Sequence, residues 1–121
     1  MDQNDGKELF MNSRDKGKRG ELELAHELEK FGYETRRSVQ FCGANGDADV
    51  VGVPGLHIEC KRVERLNIYD AIKQSVNDAR KGEMPVVMHR KNRQKWLVTL
   101  SLDDFMKLWK ERKDEQETDS M

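Results

Sequence analysis

At 121 residues the chain is expected to form one domain with a modest core, without a second catalytic domain. Charged residues make up 37% of it and hydrophobic residues 36%, a balance that fits a soluble globular protein packed only in its middle. The net charge of −1 conceals an asymmetry: residues 1–13 carry −2 and residues 114–121 carry −4, so the middle carries +5 and suits a polyanion. No apolar run approaches the ~18 residues that a membrane span needs, and the amino terminus lacks the apolar core of a signal peptide. Cys42 and Cys60 have neither the spacing of a zinc site nor the number of a disulfide framework, so a cytoplasmic protein with reduced thiols is expected.

In chain order, residues 1–15 read as a flexible arm, 16–112 as the folded domain and 113–121 as a disordered acidic tail. The polar stretch ending in "DKGKRG" leads into a helix, "ELELAHELEKFGY", with Leu24, Ala25, Leu28 and Phe31 at helical spacing and Gly32 as its stop. "YETRRSVQF" alternates as a strand, and "CGANGD" is a glycine-rich loop. "ADVVGV" and "LHIECKRV", joined by a tight turn at Pro54-Gly55, form a hairpin of two central strands. "NIYDAIKQSVNDARKG" is a second amphipathic helix with Ile68, Ala71, Ile72, Ser75 and Ala79 on one face. "MPVVMHR" and "KWLVTLS" are strands separated by a basic turn. "LDDFMKLWKER" closes the fold as a third helix with Leu102, Phe105, Met106 and Trp109 inward. The order predicts an α/β fold, a mixed sheet of about five strands flanked by helices.

Chemistry concentrates in "DADVVGVPGLHIECKR". Side chains alternate along a strand, so Glu59 and Lys61 share one face with His57, while Asp47 and Asp49 share a face of the preceding strand. A short turn brings Asp49 toward Glu59. Two carboxylates with the backbone carbonyl of Cys60 are hard oxygen ligands of the kind that Mg²⁺ or Mn²⁺ takes beside a phosphate, and Lys61 next to that ion can orient a water and steady transition-state charge. Glu21 lies on the apolar stripe of the first helix, where a carboxylate needs a partner, and would complete the ion's shell directly or through water. His57 reads as a packed strand histidine. The cluster Arg90, Lys91, Arg93 and Lys95, like Arg36 and Arg37, is equally a solvated turn or a rest for a nucleic-acid backbone.

These residues carry a resemblance. "GDADVVGVPGLHIECK" resembles the signature of the PD-(D/E)xK nuclease superfamily, an acid opening one strand and an acid-x-lysine triplet on the next. "KGKRGELELAHELEKFGY", "HIECKRVERLNIYDAIKQSVNDA" and "PVVMHRKNRQKWLVTL" extend it over roughly residues 16–110, toward archaeal Holliday-junction-resolvase-like nucleases and their phage and prophage relatives. The resemblance implies a restriction-endonuclease-like sheet and a divalent-metal site that maps to Glu21, Asp49, Glu59 and Lys61, with Gln74 matching a further site glutamine. It implies a metal-dependent DNA endonuclease, Mg²⁺-using with Mn²⁺ able to substitute, working as a homodimer on branched or duplex DNA. The family's acid usually follows proline; here Ala48 precedes Asp49, and Asp47 is a competing acid. Asp49 is preferred because it directly precedes the apolar run "VVGV". Two rivals stand beside this reading: a nicking, flap or branch nuclease, and a non-catalytic DNA-binding module that retains the fold.

Overall fold

The computed structural model describes residues 13–38 and 48–119; nearly all of the expected N-terminal arm, the glycine-rich loop with Cys42, and Asp47 lie outside them. Helix α1 (Ser13–Glu29) begins earlier than the sequence pattern suggests and takes in Gly17 and Gly20, which read as the end of the arm. Gly20 has a packing reason for its place. A Cβ there would stand 2.6 Å from the Cβ of Arg62, so the missing side chain lets the helix press against the central sheet.

Strands β1 (Arg36–Arg37), β2 (Val50–Val51), β3 (Leu56–Arg62), β4 (Met84–Arg90) and β5 (Leu97–Thr99) form one sheet in sequence order. β1–β2, β2–β3 and β4–β5 pair antiparallel, and β3–β4 pair parallel across the crossover helix α2 (Ile68–Asp78). The expected hairpin is present, with Val50 opposite Ile58. Gly52, at φ +117°, brings the end of β2 onto the chain before β1, where a side chain would collide with the Glu34 carbonyl. The Thr35 hydroxyl donates to the Ala25 carbonyl at 2.6 Å and fixes this segment to α1.

The core lies between α1 and one face of the sheet: Leu24 and Ala25 pack with Val50, Ile58, Val86 and Met88. Alternation turns His57, Glu59 and Val87 to the other face, which α2 covers with buried Ala71 and Ser75. Ser75 Oγ lies 3.3 Å from the His57 carbonyl and 3.1 Å from that of Val86, tying α2 to both parallel strands. Asn67 caps the helix by accepting from the Asp70 amide.

The third helix departs from expectation. α3 (Leu102–Asp119) takes in residues 113–119 of the expected disordered tail, and its apolar stripe is not inward: Leu102 is 73% exposed, Trp109 50%, with Phe105 and Met106 also exposed. The spacing is that of a buried face, but the short connector from β5 sends the helix away from the sheet, so among the described residues the stripe stays exposed. Phe105 and Trp109 stack on each other instead, and the Arg112 guanidinium lies 4.9 Å above the Trp109 ring.

Candidate active site

Asp49 stands at the entrance to β2, and two bonds fix it to β3. Its amide donates to the Ile58 carbonyl and its Oδ2 accepts from the Cys60 amide, each at 2.9 Å. That places the carboxylate against Glu59, which is 2% exposed and shares a side-chain hydrogen bond with it. Two carboxyl groups bond to each other only when one holds a proton. Burial, then the Asp49 charge and this bond, push the Glu59 pKa up to about 8, against the pull of Lys61.

Glu21 reaches the same group from α1. Burial and the Asp49 charge raise its pKa, while Arg37 opposes them through an ion pair at 2.7 Å. Burial also pushes the Cys60 thiol up, with help from Asp49 and Glu21, so the sulfur stays protonated and the residue serves through its backbone. Asp49 therefore acts on both Glu21 and Glu59, and Lys61 acts on Glu59. Gln74 is exposed on α2. Among the described residues no three His, Cys, Asp or Glu side chains already form an ion cage.

His57 is packed, as read from the sequence. It is fully buried, with Nε2 3.7 Å from Glu59 and Nδ1 3.4 Å from Glu83, and neither ring nitrogen is hydrogen-bonded. Sequence reasoning missed Arg37 as the partner of Glu21. A pair of arginines before a loop carries no such signal; the pairing of Arg37 with Val50 turns it toward α1 and Glu21. Glu23 pairs with Arg62 at 3.3 Å and with Arg90, locking α1 to the ends of β3 and β4.

A family model described as "Phage putative PDDEXK endonuclease" matches residues 12–120. No curated protein matches the chain. Among solved structures it is similar to Hjc, a Holliday junction resolvase from the archaeal hyperthermophile Archaeoglobus fulgidus. The two share 28% identity at a TM-score of 0.55, over 68% of this chain and 74% of that one. The family match runs from before α1 to the end of α3, so the acid-bearing hairpin and the sheet around it fall within it as a whole, and the chain belongs to the phage PDDEXK endonuclease family.

Proposed function

We propose that the protein is a divalent-metal-dependent DNA endonuclease that hydrolyses a phosphodiester with water and selects branched DNA. The observation that carries this reading is the buried Glu59 with half-buried Asp49 against it and Lys61 beside it. Burial and the Asp49 charge raise the pKa of both Glu21 and Glu59, and Glu59 retains a proton to about pH 8 because the countercharge that reaches it is too weak to offset burial. A hard divalent cation fits that deficit, and the donors are the oxygens it prefers. Asp49, Glu59 and the Cys60 carbonyl would hold it. Glu21 joins directly or through water, once Arg37 is drawn off toward a phosphate.

Mg²⁺, when bound, supplies the positive charge that polarises the scissile phosphate, and Mn²⁺ substitutes for it. Lys61 orients the attacking water and steadies the charge that develops on the phosphoryl oxygens. Exposed lysines and arginines beyond the site grip the backbone, so affinity falls steeply with salt and carries little base specificity. Selection of branched DNA and assembly as a homodimer, which two symmetric cuts require, rest on the likeness to the archaeal resolvase. A cytoplasmic setting agrees with the free Cys60 and with the absence, among the described residues, of any helix long and apolar enough to cross a membrane.

Calorimetric titration with Mn²⁺ should give an ion site in the wild type that Asp49→Asn removes. Labelled four-way junction, flap and linear duplex should be cut in that order of preference. Wild-type protein without a carboxylate-dependent ion site would leave only a DNA-binding module. Equal cutting of all three substrates would remove structure selection.

A further inference from the structure

The sheet register sets Lys61 beside His89 on β4, and His89 beside Leu97 on β5, so the three side chains cross the same sheet face in a row. Beyond the first turn of α2 that face is open. A cavity of about 580 Å³ lies there, floored by Val63, Leu66, Leu97 and the half-buried imidazole of His89. This volume is in the range that accepts a small organic group. The His89 ring is held in place by a 2.8 Å hydrogen bond to Thr99 Oγ1, and burial lowers its pKa, so it offers an uncharged flat face at neutral pH.

Three exposed cations, Lys91, Arg93 and Lys95, surround the opening on the β4–β5 turn. That turn is held in one shape. Arg62 donates to Asn92 Oδ1 at 2.9 Å, and the Asn92 amide donates to Glu64 at 2.7 Å. Glu64, the acid that also lines the cavity, is engaged by that amide and by Arg62 at 3.8 Å. Arg93 sits at φ +64°, a conformation unfavourable for a residue with a side chain and retained only where the surroundings impose it.

Resting on the nuclease reading, we propose that this cavity receives one unpaired nucleobase of the DNA substrate, with Lys91, Arg93 and Lys95 on the phosphates that flank it. Apolar walls and a fixed imidazole suit the π-face of any base, and the cationic rim suits the backbone on either side. Val63 lies two residues beyond Lys61, about 7 Å along the strand at ~3.3 Å per residue. The occupant therefore belongs to a nucleotide near the phosphate held at the acids. A flap presents an unpaired base, as does a branch point whose central pairs have opened, and a continuous duplex does not, so the cavity is where structure selection would be read.

The test is fluorescence-anisotropy binding by the full chain in chelator, where no cutting occurs. The ligands are a duplex, the same duplex with one unpaired nucleotide, and a third DNA in which that unpaired base is replaced by an abasic analogue. The wild type should prefer the unpaired nucleotide about tenfold over both others. Leu66→Trp, which fills the cavity, should abolish the preference and leave duplex affinity unchanged. Val63→Trp, at an exposed position, repeats the test should the first variant fold poorly. Replacing Lys91 and Lys95 by alanine together should weaken all three ligands. Equal affinity for the unpaired and abasic DNAs, a preference that survives filling, or no DNA binding at all would overturn the proposal. Because no divalent ion is present, failure here leaves the metal site untouched, and failure of that site leaves this preference standing.

Discussion

β3 and α3 are opposite cases of the same sequence pattern. β3 has strands on both sides and helices on both faces, so even its histidine and glutamate are closed off from water. α3 carries Leu102, Phe105, Met106 and Trp109 at the spacing of a buried stripe, yet among its described side chains only Asp104 is less than exposed. The contrast teaches that apolar spacing says which face an element offers, and only its neighbours say whether that face is covered. The proposed site lies on the covered element, where burial is what raises the Glu59 pKa.

The sharpest way to break the contrast is Lys61→Ala. Loss of one electrostatic group at a phosphoryl centre should lower the cleavage rate by about 10³-fold while metal-free DNA affinity changes less than about twofold. Wild-type cutting by this variant would take the chemistry out of β3.

Next in size is a pH effect on stability. Glu59 holds its proton to about pH 8 in the fold but releases it near the ordinary carboxyl value of 4.5 when unfolded. Between these values the native state binds the extra proton, so metal-free stability should fall as pH rises from about 4.5 to 8 and level off above. The loss amounts to several kcal/mol as an order of magnitude. Urea midpoints in chelator across that range should show the decline, Glu59→Gln should flatten it, and added Mn²⁺ should offset it at the alkaline end.

Gly52→Ala probes the packing that presents Asp49 to β3. A side chain at φ +117° that also meets the Glu34 carbonyl should cost about 2–4 kcal/mol in denaturant unfolding. A change under about 0.5 kcal/mol would mean that this corner is loosely held. Smallest of all, Trp109→Ala in α3 should alter unfolding by no more than about 0.5 kcal/mol, since it removes a half-exposed ring from an uncovered helix. A loss of about 3 kcal/mol would show that the stripe is buried in solution.

Much of the site was legible. Asp49, Glu59 and Lys61 stand out because strand alternation and a short turn confine three polar groups to a hairpin, and Glu21 because it sits on an apolar stripe. Gln74 came only from resemblance, and its side chain is exposed on α2. Arg37 was invisible as a site residue, since its pairing with Glu21 depends on the register of β1 on β2 and on where α1 lies across them. The helical start at Ser13 was hidden by Gly17 and Gly20, whose low helix propensity reads locally as a break. At Gly20 the compensation is close contact with Arg62, far along the chain.

By itself the sequence determined the order of the elements, the face to which each side chain turns and the strand that bears the acid-x-lysine triplet, because these follow from helix and strand periods that act over a few residues. Only the tertiary structure decided which apolar stripe is covered, which arginine holds Glu21, and that the Lys61, His89 and Leu97 row borders a cation-rimmed cavity. Each of these depends on groups far apart in the chain meeting in space, and burial and electrostatic coupling arise only from that meeting.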